Sequence, residues 1–481
     1  MSGASRTRPV WVEVDVAAVR HNTRLLVDLV APAALCAVVK ADGYGHGALA
    51  VARAALEGGA SWLAVATVDE GIALRAGALR APILVLSEPP PGALAAARDA
   101  GLTPTLYTKA GVAAARAVAQ RPPPGLAGHP GERAWCSRAN AGVSGPGTSE
   151  AAALAETGQG AEPAAATEPA AATEPAAATE PEQVAAEPGQ AVEPEQAGAD
   201  GPAAQLEAPW TVHLKVDSGM HRAGADPEDL AALVAAVRSA PGLALGGIWT
   251  HLAVADGAGE EDRSFTRRQL RVFDAAIGST SVAGRRGILR HAANSAGALA
   301  YPSAHYDMVR SGIALYGVSP SDALEEVTAT LGLRPALSWH AEVSHVRRLP
   351  AGARPSYGRA RPLPSAAAVA TVPVGYADGL PRRYFEAGGT VLIGGRHRPL
   401  AGVVTMDQIV VDCGSDVPAA GDRVVLLGQQ GSARLRATDW AHTLGTIAYE
   451  VLCGIGPRVP RVVVDRDVRS AQPVGAEQEG G

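Results

Sequence analysis

The chain has 481 residues, 47% apolar and 19% charged, with a formal net charge of −6. That is enough apolar material for a large core, and the length predicts two or three domains. A basic footprint for nucleic acid is missing, and no uncharged apolar run reaches the ~18 residues of a membrane span.

Residues 1–9 read as a tail, and the start MSGASRTRPVWVEVD lacks the apolar stretch and cleavage site of a signal peptide. A cytoplasmic protein is therefore expected. A strand is expected at 10–16. From there, strand-like runs alternate with helix-like ones. The strands are 35–39 (LCAVV), 62–66, 82–86, 103–107, 211–216 (TVHLKV), 245–251, 288–293 and 309–316. Helical spacing marks 45–57, 67–77, 91–100, 226–239 and 261–277. Eight short apolar strands separated by helices predict an α/β fold, a (β/α)8 TIM-type barrel over 10–330. A doubly wound open sheet has the same alternation. Within this span, 139–208 hold twelve acidic residues, eight prolines and no Lys or Arg, with an AAATEP repeat from Ala164 to Pro181. Proline at that period breaks helices and like charges extend the chain, so 121–208 read as a disordered acidic insertion. From 331 to 465, Val-rich runs with Gly-containing turns predict a separate, mostly-β domain, with strands at 366–374, 389–393, 400–404, 408–412, 422–427 and 458–464. The strand at 10–16 is a candidate partner for that domain, and 466–481 read as a second disordered tail.

Two counts bear on chemistry. Cys36, Cys136, Cys413 and Cys453 lie far apart without metal spacing, so neither a zinc site nor a disulfide framework is expected. Of 42 basic residues only three are lysine: Lys40, Lys109 and Lys215. A primary amine can deprotonate and form imines, which a guanidinium cannot. Lys40 ends a barrel strand, where such barrels carry their sites, and opens VVKADGYGHGA. That glycine-rich turn lacks the GK[ST] of a P-loop, which argues against a nucleoside triphosphate.

VVKADGYGHGA resembles the pyridoxal phosphate (PLP) signature of the alanine racemase family. The resemblance continues through HLKVDSGMHRAG (213–224), THLAVAD (250–256), HAANSAG (291–297), YDMVRSGIALYG (306–317), PSYGR (355–359), VPVGYADGLPRR (372–383), TMDQ (405–408) and TIAYEVLCGIGPRVPR (446–461). These blocks run in the family's order from about residue 10 to 465.

The resemblance implies the following roles. Lys40 forms an imine with PLP and then serves as the base on one face of the substrate. Tyr357 is the acid/base on the other face, supplied by a partner subunit, which implies a homodimer. Arg310 faces the pyridine nitrogen, and His251 packs with it. Tyr44, Asn294, Ser295, Gly312, Ile313 and Tyr449 hold the phosphate side. Arg222 lies near the substrate carboxylate and the cofactor phenol oxygen, and Met406 and Asp407 line the substrate side. Lys215 matches a lysine that can carry a carbamate. Tyr376 and Arg382 match the gate of the access channel. Ser218, Ser311, Pro355, Val403 and Ala448 depart from the family's commoner residues. The expected activity is interconversion of L- and D-alanine, supplying D-alanine for peptidoglycan. The alternatives are a racemase of wider scope, a PLP-dependent decarboxylase or aldolase on the related barrel, against which Tyr357 and the Met406–Asp407 block argue, and a non-catalytic PLP-binding protein.

Overall fold

A computed structural model describes residues 8–121 and 208–466. The expectations for the two tails and the acidic insertion fall outside the described residues, apart from a few at their margins.

Eight parallel strands form one sheet. They are Ala34–Val38, Trp62–Val65, Ile83–Val85, Thr103–Leu106, Trp210–Lys215, Leu243–Trp249, Leu289–His291 and Met308–Ser311. Neighbours in sequence are neighbours in space, and Met308–Ser311 returns to pair with Ala34–Val38. The remaining seam, between Leu289–His291 and Met308–Ser311, is joined by Asp307 N–H to Arg290 O and Arg310 N–H to Ala293 O, both 3.0 Å. The sheet is therefore a barrel and not an open doubly wound sheet. Trp62–Val65 and Ile83–Val85 are buried at every residue, as strands covered on both faces require.

Local chemistry starts the helices. Asp15 accepts from the amides of Ala17 and Ala18 and opens Val16–Val30. Thr67 and Glu70 form a reciprocal cap for Val68–Ala76. The expected helices occur as Ala48–Glu57, Val68–Ala76, Leu94–Asp99, Leu230–Ser239 and Glu260–Gly278.

The second domain is mostly β. Its larger sheet runs Arg396–Pro399, Thr390–Ile393, Arg423–Gln430, Leu337–Glu342, Val10–Asp15, Arg461–Val464, with Ala433–Leu435 added to Arg423–Gln430. A smaller sheet joins His345–Leu349, Ala367–Val372 and Ile409–Asp412. Val10–Asp15 thus belongs to this domain, between Leu337–Glu342 and Arg461–Val464, and the barrel begins at Ala34.

Two further sequence expectations differ from the structure. Residues 400–404 are not a strand. The chain reverses at Gly394–Gly395, the returning strand is Arg396–Pro399, and Gly402 then presses against Pro355 and Ser356. The strand expected at 309–316 stops at Ser311. Gly312 turns the chain (ψ −99°) into a 3₁₀ helix, Ile313–Tyr316.

Candidate active site

The C-terminal ends of the barrel strands surround a cavity of about 580 Å³. It brings together Lys40, Tyr44, Lys215, Arg222, His251, Asn294, Ser295, Arg310, Gly312, Ile313 and Tyr449. Lys40 and Tyr449 lie about 400 residues apart in sequence; barrel closure gathers the strand-end residues, and the second domain adds Tyr449 from helix Ala448–Cys453.

Lys40 begins a turn of unusual shape. Ala41, Asp42, Gly43, Tyr44 and Gly45 all have positive φ, between 50° and 78°. Non-glycine residues adopt that region at a cost of about 1 kcal/mol or more each, so the surroundings must impose it. The Glu70 carboxylate accepts from the Ala41 amide (2.7 Å), and the Asp42 carboxylate accepts from the Ala48 amide (2.9 Å). Arg461, from the β domain, donates to the Gly45 carbonyl (2.9 Å). The turn sets the Tyr44 ring 4.9 Å from Tyr316 and 6.0 Å from Tyr449.

Arg310 is 3% exposed. Its Nη2 donates to the carbonyls of Thr250 (2.8 Å) and Ala292 (3.0 Å), and Nη1 donates to His291 Nδ1 (2.9 Å). His251 Nδ1 lies 3.3 Å from Nη2. The guanidinium also sits 4.4 Å over the Trp249 ring. Burial lowers its pKa to about 10, which still leaves it charged at neutral pH.

Lys215 is 5% exposed, with Nζ 4.8 Å over the same indole. Burial, and then the cations of Arg222 and Arg310, lower its pKa to about 8. The Lys40 amine is lowered by burial first and by Arg222 next. Lys40, Lys215, Arg222 and Arg310 therefore converge on one cavity whose lining includes no Asp or Glu. Such a site favours an anionic ligand.

One wall is built for close approach. Ser295 Oγ accepts from the amides of Gly312 (2.8 Å) and Ala314 (3.3 Å). A Cβ on Gly312 would stand 2.3 Å from the Tyr44 hydroxyl, so only glycine leaves this cradle open. Asn294 caps the following helix through the Gly297 amide (2.9 Å). The donor set fits PLP: a free-amine lysine, a buried permanent cation across the cavity, and a hydroxyl-and-amide cradle for phosphate.

Five expected residues lie outside the cavity. Tyr357 is 75% exposed, Met406 52% and Tyr376 43%, and Asp407 and Arg382 are also exposed. Tyr357 begins a 3₁₀ turn, which the chain enters through Ser356 at φ +68°. Asp407 accepts from Arg458 (2.8 Å), and Arg382 lies 4.0 Å from Glu386. These loops are tied to each other. Ser356 Oγ donates to the Val403 carbonyl, and the Tyr376 and Ala377 amides donate to the carbonyls of Thr405 and Met406. They form one exposed face of the β domain.

Sequence reasoning missed Trp249, His213 and His291. Each is an apolar-strand aromatic or imidazole with no local signal of a role. Cys453 was read only as unpaired, yet it lines the cavity.

The chain matches the family model "Alanine racemase, N-terminal domain" over residues 14–130 and 147–320, and "Alanine racemase, C-terminal domain" over 336–463. It is 38% identical over 455 residues to the alanine racemase of Symbiobacterium thermophilum, covering 94% of this chain and 97% of that one. It is 34% identical to that of Desulfovibrio desulfuricans, covering 95% and 99%. Among solved structures, it resembles the alanine racemase of D-cycloserine-producing Streptomyces lavendulae at TM-score 0.72 and 32% identity, covering 97% of this chain and all of that one.

Proposed function

This chain belongs to the alanine racemase family, and from that membership we propose that it interconverts L- and D-alanine with PLP and two bases, Lys40 and Tyr357. One observation carries the reading. A lysine with a depressed pKa shares an acid-free cavity with three further cations and a glycine-opened hydroxyl cradle.

Bound there, PLP would supply an imine-forming aldehyde and an electron sink for charge developing at Cα. The protein does the rest. Ser295, Gly312, Ile313, Asn294, Tyr44 and Tyr449 hold the phosphate end. Arg310 is fixed by two carbonyls and His291, and would present a permanent cation to the pyridine nitrogen. His251 packs against that guanidinium, neutral because burial and the neighbouring cations hold its pKa well below the usual range. Arg222 makes no ion pair with a described residue and is available to a substrate carboxylate.

Lys40 Nζ is unprotonated more often than an ordinary lysine amine, which suits it to hold and release a proton on its own side. Tyr357 lies on the exposed face with Met406, Asp407, Tyr376 and Arg382. In a single chain these residues do not enter the cavity. We assign that face to a homodimer contact that sets the partner subunit's Tyr357 opposite Lys40, with Met406 and Asp407 on the substrate side and Tyr376 and Arg382 at the channel. Lys215 is buried among cations without a carboxylate lining its cavity, so a carbamate there would supply the missing negative charge beside Arg222. The physiological role is supply of D-alanine for peptidoglycan in the cytoplasm. Among the described residues, no helix is long and apolar enough to cross a membrane.

The test is L-alanine in D2O with purified holoenzyme, following optical rotation and the α-proton by NMR. Loss of rotation with deuterium at Cα supports the reading. Exchange with retained chirality means that only one base works. No change in either, with PLP bound, overturns it.

A further inference from the structure

Beneath Arg310 runs a chain of two imidazoles. Arg310 Nη1 lies 2.9 Å from His291 Nδ1, and His291 Nε2 lies 3.0 Å from His213 Nδ1. Both histidines are fully buried. Only one proton arrangement satisfies both contacts. Arg310 has no acceptor, so His291 Nδ1 must be bare. A neutral His291 then carries its proton on Nε2 and donates it to His213 Nδ1. His213 in turn carries its own proton on Nε2, which has no hydrogen-bond partner in the protein. Neither ring takes a second proton readily, because burial and the Arg310 charge both oppose it.

The barrel is shaped around this contact. The parallel pairing of Trp210–Lys215 with Leu243–Trp249 is bulged between Val212 and His213. The extra residue is Gly246, so Gly246 and Gly247 together lie opposite His213. A Cβ on Gly247 would stand 2.6 Å from His213 Cε1 and 2.7 Å from Nδ1, and one on Gly246 would stand 3.2 Å from Nε2. Two glycines inside a strand weaken it, so the space they leave has a use. Trp249, which underlies Arg310, stacks on His291 at 5.8 Å and 13°.

We propose that His213 is a positioning residue for the racemase site: by accepting from His291 it fixes that ring's tautomer, and so keeps Nδ1 free to hold the Arg310 guanidinium in place. Without an acceptor at 213, the His291 proton can move to Nδ1, where it faces an Arg310 N–H and turns the guanidinium away. The inference rests on the alanine racemase reading only for its effect on catalysis. The tautomer is measurable whatever the reaction.

The experiment compares full-length holoenzyme carrying His213→Phe or His213→Asn, with 15N-labelled histidine. Phe keeps the ring and loses the acceptor. Asn loses the ring but places Oδ1 where Nδ1 was. In the wild type, long-range 1H–15N spectra should show His291 only as the Nε2–H form. The Phe variant should show a mixture and lose about tenfold or more in kcat, with KM little moved. The Asn variant should restore the single form and most of kcat. A role in packing alone predicts the reverse, with Phe tolerated and Asn damaging, and overturns the proposal. If the Phe variant does not fold, the wild-type spectrum still decides: His291 protonated on Nδ1, or a doubly protonated His213, refutes it. An enzyme that shows the expected tautomer and binds PLP but racemises nothing refutes the functional reading instead.

Discussion

Among the described residues, His46, His213, His251 and His291 are held neutral by the fold, and their acid titration should dominate stability below pH 6.5. Burial lowers His46 from 6.5 to about 4 and His213 to about 3. His251 and His291 are held well below 6.5, by burial first and by Arg310 next. The unfolded chain therefore binds protons that the native state refuses. Stability rises with pH over this window and is lost as pH falls from 6.5 towards the native values. At pH 5.5 each unfolded imidazole gains about 1.4 kcal/mol by protonation, on the order of 5 kcal/mol for the four. That is a large share of the roughly 5–15 kcal/mol typical of a folded protein. The assay is urea unfolding of the holoenzyme at pH 7.5 and 5.5, followed by circular dichroism, with His46→Gln alongside. The wild type should lose about 5 kcal/mol between the two, and the variant about 1.4 kcal/mol less than that. A wild-type loss under about 2 kcal/mol, or an identical loss in the variant, would refute the neutral-burial argument.

Replacing Lys40 with Ala should abolish racemisation while leaving the urea midpoint within error, because its side chain has no ion pair among the described residues; residual racemisation would remove it as a base. Tyr357→Phe should slow α-proton exchange from one enantiomer far more than from the other, with PLP absorbance unchanged; equal slowing from both would dissociate Tyr357 from a one-face role. Gly317→Ala should be insoluble or destabilised by more than about 3 kcal/mol, since φ is +73° and its Cβ would stand 1.8 Å from the Arg334 carbonyl; a soluble variant with an unchanged midpoint would mean that the turn can relax. Asp378→Asn should cost about 3 kcal/mol, because the fully buried carboxylate pairs with Arg8 (2.5 Å) and accepts from the Gly375 amide (2.9 Å); a thermal melt within one degree of wild type would contradict it.

The barrel was legible in the chain because its strands are short continuous apolar runs between amphipathic helices, a pattern that burial on both faces enforces locally. The glycine-rich turn after Lys40 and the scarcity of lysine were legible for the same reason, as both are properties of composition and spacing. What folding alone decided is which side chains meet. Trp249, His213 and His291 come from three different strands and carry no local mark. They matter because closure of the sheet stacks them under Arg310, where the Arg310 N–H finds its acceptor on His291 and the His291 N–H finds its own on His213. The edge of the β domain was hidden too. Arg396–Pro399 is charged and proline-ended, poor strand material by propensity, and pairs only because the Gly394–Gly395 turn brings it beside Thr390–Ile393. Lys40 and Tyr357 show the same division. Their identity is written in their neighbours, but the depressed pKa of one and the exposure of the other come from long-range packing, which short-range sequence does not encode.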